Sequence, residues 1–145
     1  MAAAYSTVAA LVARYGEEEL VQLTSSMEDP TVMVEARAQA ALEAASAELD
    51  AYIGVRRPCP VDPIPAILQE LAEDVAIYKL TTLRSRGGTE DARKRYEDAM
   101  KLVRDYAKGL ASLGFIEPVQ DDREVPGMAA FMGGRERLFT RDMDL

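Results

Sequence analysis

Three acids on neighbouring helix turns, Glu70, Glu73 and Asp74, are the closest this chain comes to a catalytic or cation-binding set. Paired carboxylates can exchange a proton or hold a hard cation. They need a histidine or an oxygen-rich loop beside them, and the sequence contains no histidine at all. The missing imidazole also excludes Ser-His-Asp and Cys-His nucleophiles and every His-ligated metal site. The three acids are therefore expected to form a solvent-facing patch. Cys59, the single cysteine, stands between Pro58 and Pro60. Arg56 and Arg57 could favour its thiolate, but no base is available to activate it, so it reads as an incidental small residue. One cysteine cannot close an internal disulfide, which suits a reducing compartment. Gly87-Gly88-Thr89 ahead of a helix offers backbone N–H groups to an anion, yet it lacks the Lys-Ser/Thr and the preceding strand of a phosphate loop. Gly133-Gly134 is no better as a nucleotide motif. No catalytic residue, cofactor or metal is expected, and the chain is not expected to be an enzyme.

A second kind of chemistry is electrostatic. Lys79, Arg84, Arg86, Arg93, Lys94, Arg95, Lys101, Arg104 and Lys108 form a basic cluster with Tyr96 and Tyr106 inside it. Basic-aromatic interleaving can bind single strands. Both tyrosines fall on an apolar helix stripe, however, and acids are interspersed, so sequence-specific nucleic-acid binding is not expected. The net charge is −8, unevenly placed: residues 1–50 carry two Arg against nine acids, and residues 51–113 carry eleven Lys/Arg against nine acids. Glu17, Glu18 and Glu19 on one side and Arg93, Lys94 and Arg95 on the other are candidate inter-subunit charge contacts in a self-assembling ring. The simpler reading is a set of solvated helix faces with i,i+4 pairs such as Glu97–Lys101.

These residues must be positioned by helices. The 145 residues suit one domain, and 48% hydrophobic content is enough for a core. Ser6 or Thr7 can N-cap a short helix bearing Val8, Leu11 and Val12, with Gly16 as its stop. Glu17-Glu18-Glu19 suits the positive end of a second short helix, buried through Leu20, Val21 and Leu23. Val34, Ala38, Ala41, Ala45, Leu49 and Tyr52 repeat in steps of four and three, predicting a long helix over 31–53 with Gly54 as its C′ residue. Val55 to Pro65 holds four prolines and reads as a rigid extended connector. A helix over 65–86 follows from Ile64, Leu68, Leu71, Val75 and Tyr78, widened by Ile67 and Ala72. Another over 89–110 follows from Ala92, Tyr96, Ala99, Val103, Tyr106 and Leu110, with Thr89 as its cap. The fold class is all-α: a small bundle of three long helices plus short N-terminal helices, with an extended C-terminal arm. Residues 1–113 form the body and 114–145 the arm.

The arm has no helical period but is too apolar for a solvated tail. Phe131, Leu138 and Phe139, flanked by Arg137 and Arg141, are its candidate partner-docking residues. No apolar run approaches the roughly 20 residues of a membrane span, and no signal-peptide pattern opens the chain. No membrane association is expected.

Several segments in order resemble a known family. They are Tyr5 to Leu11, Arg14-Tyr15-Gly16-Glu17-Glu18-Glu19-Leu20 and Gln22-Leu23-Thr24, then Ala45 to Ile53 and the Arg-then-proline connector. Pro65, Asp74-Val75-Ala76-Ile77-Tyr78-Lys79-Leu80, Arg95-Tyr96-Glu97-Asp98-Ala99, Gly109, Leu113-Gly114 and Arg137 to Asp142 complete the set. The set resembles the small Mu-like phage and prophage protein family, whose members resemble the helical head–tail connector (adaptor) proteins of tailed phages. Two departures are local: Arg56-Arg57-Pro58-Cys59-Pro60 replaces an aromatic and a smoother proline run, and the chain lacks a Gly-Phe-like extension after Leu145. The resemblance implies a virion protein of the neck, made in the bacterial host cytoplasm. Its implied partners are the portal protein, neighbouring copies in a ring of roughly twelve, and a downstream neck or tail-completion protein. Genomic DNA would only pass through the channel. The alternative is another morphogenesis protein, such as a tail-completion factor or a small packaging subunit.

Overall fold

Thr7 caps the first helix, α1 (Val8–Tyr15): its Oγ1 accepts a hydrogen bond from the Ala10 N–H at 3.2 Å. Gly16 ends α1 with φ +90°, where any side chain would be strained, while its N–H bonds the Val12 carbonyl at 2.8 Å. The same glycine opens α2 (Glu17–Thr24), whose first turn holds the three glutamates at the positive end of the helix dipole. The computed structural model describes residues 3–84 and 90–115, and within them the protein is all-α.

The long third helix, α3 (Glu35–Ile53), starts four residues later than the apolar spacing predicts. Asp29 accepts from both the N–H and the hydroxyl of Thr31, and the Val34 N–H donates to Thr24 Oγ1 at 3.2 Å. The residues after Pro30 are thus used in a turn that brings the chain back to the end of α2. Ala38, Ala41, Ala45 and Leu49 are buried as the stripe predicts, joined by Leu42 and Ser46.

Two expectations about the next segment fail. Gly54 does not leave α3 in the left-handed region; its φ of −60° continues the helix, and its N–H bonds Asp50 O. The connector is not extended either. The N–H groups of Arg56 and Arg57 both bond the Ile53 carbonyl, and Val61 tucks into the core at 3% exposure. Proline fixes φ near −65°, which suits turns as well as extended chain, and the open carbonyls at the end of α3 draw the next residues into turns.

The fourth helix, α4 (Ala66–Leu83), has Pro65 as its N-cap and ends three residues before the predicted 86. It lies between neighbours: α3 packs along one side, α5 (Glu90–Ala107) along another, and α2 touches its end. The burial therefore extends well beyond the predicted stripe, to Glu73, Ala76, Ile77, Leu80 and Thr81, whereas Ile64 and Ile67 stay exposed. In α5 the residues Ala92, Ala99, Val103 and Tyr106 are buried as predicted, together with Met100. Leu110 is not; it is 77% exposed. Gly109, at φ +81°, bonds Tyr106 O while the Leu110 N–H bonds Asp105 O, so the helix closes at Ala107 and Leu110 leaves the stripe. Leu113 returns to the core, and Phe115 packs edge-on against Tyr106 with 5.2 Å between ring centres. The predicted cap Thr89 and the arm beyond Phe115 lie outside the described residues.

Candidate functional site

The most structured polar feature is a set of joints in which tyrosine hydroxyls donate to carboxylates on other elements. At the first joint, Ser6 Oγ donates to Glu73 Oε1 at 2.6 Å, and Arg14 Nη1 reaches Glu73 Oε2 at 3.1 Å. Arg14 also donates from Nη1 to the Glu70 carbonyl and from Nη2 to Asp74 Oδ1, and the Tyr15 hydroxyl donates to that same Asp74 oxygen. Glu73 is 6% exposed. The expectation of a solvent-facing acidic patch is therefore wrong for Glu73 and Asp74. On a helix packed from several sides, a carboxylate meets protein rather than water and persists there only when paired and hydrogen-bonded.

At the second joint the Tyr5 N–H donates to Ser46 Oγ at 2.9 Å, its hydroxyl donates to Asp50, and the Val61 N–H donates to the Tyr5 hydroxyl at 3.2 Å. One buried tyrosine thus pins the N-terminal segment, α3 and the proline loop together. At the third, Glu48 accepts from Lys79 Nζ at 2.6 Å and from the Tyr96 hydroxyl at 2.8 Å, and the Tyr96 ring stacks on Tyr78 with 4.2 Å between centres. This joint ties α3, α4 and α5.

The titration behaviour follows from the geometry. Burial first, then the bond to a carboxylate, pushes the hydroxyls of Tyr5 and Tyr15 well above the ordinary range and that of Tyr96 up to about 12. These phenols are neutral donors rather than nucleophiles. Burial disfavours the Arg14 cation, but Glu73 and Asp74 more than offset it and hold its pKa above the ordinary value. Burial likewise works against ionised Glu48, and the bonds from Lys79 and Tyr96 outweigh it, so its pKa is lowered. Burial, reinforced by Asp50, raises the Cys59 thiol, whose Sγ lies among the Asp50 and Arg57 carbonyls. Among the described residues no group of three or more His, Cys, Asp or Glu is placed to hold a metal ion, and no helix is long and apolar enough to cross a membrane.

Glu17, Glu18 and Glu19 are exposed and border a shallow polar hollow with Tyr15 and Gln22. Arg93 pairs with Glu97 at 2.8 Å and Lys94 with Glu90 at 3.3 Å, both within α5. The i,i+4 partner of Glu97 is thus Arg93 on the preceding turn. Arg95 sits over the Tyr15 ring, 5.8 Å from its centre, and shares a hollow with Arg14 and Glu19. The fold therefore brings one member of the acidic triplet and one of the basic triplet together in a single chain. Phe131, Arg137, Leu138, Phe139 and Arg141 lie outside the described residues.

Among the described residues this is an all-α protein in which Glu48, Asp50, Glu73 and Asp74 accept hydrogen bonds from other elements and so lock helices to one another. The sequence comparison gives this class its family. Residues 5–130 match the family described as Bacteriophage Mu, Gp36. The chain is also 33% identical, over 120 residues, to the Mu-like prophage FluMu protein gp36 of Haemophilus influenzae, covering 83% of this chain and 79% of that protein. The chain belongs to the Bacteriophage Mu, Gp36 family.

Proposed function

We propose that this phage protein is a structural morphogenesis protein, the head–tail connector that forms a ring beneath the portal and joins it to the neck and tail. The observation that carries the reading is the family match over residues 5–130 on an all-α body. The resemblance of that family to helical connectors of tailed phages supplies the role. A connector must hold its shape while DNA moves past, and three polar joints tying the N-terminal segment, α1, α3, α4 and α5 suit that demand. The net charge of −8 suits a channel wall that repels phosphate rather than gripping it. In this reading the acidic start of α2 and the exposed basic face of α5 contribute to contacts between neighbouring copies. The apolar arm, with Phe131, Leu138 and Phe139 as anchors, docks on the portal or a neighbour. The protein acts in the virion neck, is made in the host cytoplasm, and contacts DNA only in passage.

The test is a phage lysate made without this chain. Filled heads and finished tails should accumulate unjoined, and supplying the chain in trans should restore virions. Virions that assemble normally without it would overturn the connector role.

A further inference from the structure

One apolar groove of about 640 Å³ runs between the first half of α3 and the last turns of α4. Ala40 and Ala44 keep it shallow on the α3 side, and Leu83, 80% exposed, forms a greasy edge on α4. Among the described lining residues the charged ones are Arg37, Lys79 and Arg84, with no acid; Lys79 is already paired with Glu48, so Arg37 and Arg84 carry the charge that an incoming group meets. That is unusual in this chain: residues 1–50 hold only two cations against nine acids, and one of the two is Arg37. Among the described residues, both bonds that Arg37 makes, to the Thr24 and Ser25 carbonyls, come from Nη1, and the side chain is exposed.

We propose that this groove seats the 116–125 stretch of a second copy of the chain, an inference that rests on the ring reading above. The stretch has the complementary chemistry. It carries Glu117, Asp121, Asp122 and Glu124 against the single Arg123, with apolar Ile116 and Val119. It also follows directly on Phe115, whose ring packs edge-on against Tyr106 and so fixes where the stretch starts. Charge complementarity sets partner and register, and apolar burial on the alanine floor and Leu83 supplies attraction. A tail on one copy entering a groove on the next is a heterologous contact, the kind that closes into rings.

The test uses the full chain with Cys59→Ser in two forms, one with Ala44→Cys and one, lengthened by a tag, with Val119→Cys. Mixed and mildly oxidised, they should give the mixed disulfide in about tenfold excess over a control pairing Val119→Cys with Ala51→Cys, an exposed site near the other end of α3. Adding Ala40→Glu, at an exposed position on the groove floor, should abolish the excess without unfolding the chain. A ring seen by mass photometry without the excess overturns this proposal and leaves the ring reading standing. A chain that stays monomeric at every concentration overturns this proposal, and one that also forms no ring on the portal overturns the ring reading with it. An intrachain disulfide in a protein carrying both cysteines, with no mixed dimer, places the stretch on its own body and overturns the proposal.

Discussion

Replacing Arg14 with methionine keeps most of its apolar stem but removes the charge that faces Glu73 and Asp74. The two carboxylates are 8% and 14% exposed at the side chain, and Arg14 is 34% exposed. Removing one partner of a fully buried pair costs about 3–5 kcal/mol because a charge is left without its counter-ion. The partial exposure of Arg14 lets water replace some of that, so the expected loss is about 2–3 kcal/mol. For a chain of this size that lowers the midpoint of thermal unfolding by about 10 °C. Glu73 is the test of that cause, and urea unfolding of both proteins at neutral pH measures the loss. Adding Glu73→Gln should recover much of the loss, because the amide can still accept from Ser6 without a charge. A loss below about 0.5 kcal/mol, or one that Glu73→Gln leaves undiminished, would refute the claim that the joint is electrostatic.

Three further outcomes follow from the packing. Ala45→Asp places an unpaired carboxylate at a fully buried helix contact and should cost about 3 kcal/mol, read as a lower urea midpoint. Glu48 has a lowered folded-state pKa. Its contribution is thus complete above the ordinary value of 4.5 and lost as pH falls through the folded value, so Glu48→Gln should flatten the acid limb of the stability curve. Leu113→Ala should cost about 2–3 kcal/mol at a position with no exposure, whereas Leu110→Ala, 77% exposed, should leave stability within about 0.5 kcal/mol.

Local signals in the sequence carried over to the structure where the physics is local. Thr7 and Gly16 act within a turn of themselves, and the stripe of Ala38, Ala41, Ala45 and Leu49 needs only a helix and a partner. The joints were not legible in the same way. Ser6 and Glu73 are 67 positions apart, and Arg14 and Asp74 are 60 apart in number, so no spacing rule links them. Carboxylates on a helix read as a wet face unless the helix is known to be central. The only hint was the run Leu71, Ala72, Val75, Ala76, Ile77, apolar on more than one side of α4. The proline loop failed for a related reason: proline restricts φ, and the destination of Val61 depends on Tyr5, far away in sequence.

Negative-stain imaging of the purified chain mixed with the portal protein of the same phage decides whether it forms a connector ring. A ring of roughly twelve copies should dock coaxially on the portal. A chain that binds neither the portal nor itself, or that binds only isolated tails, would contradict it.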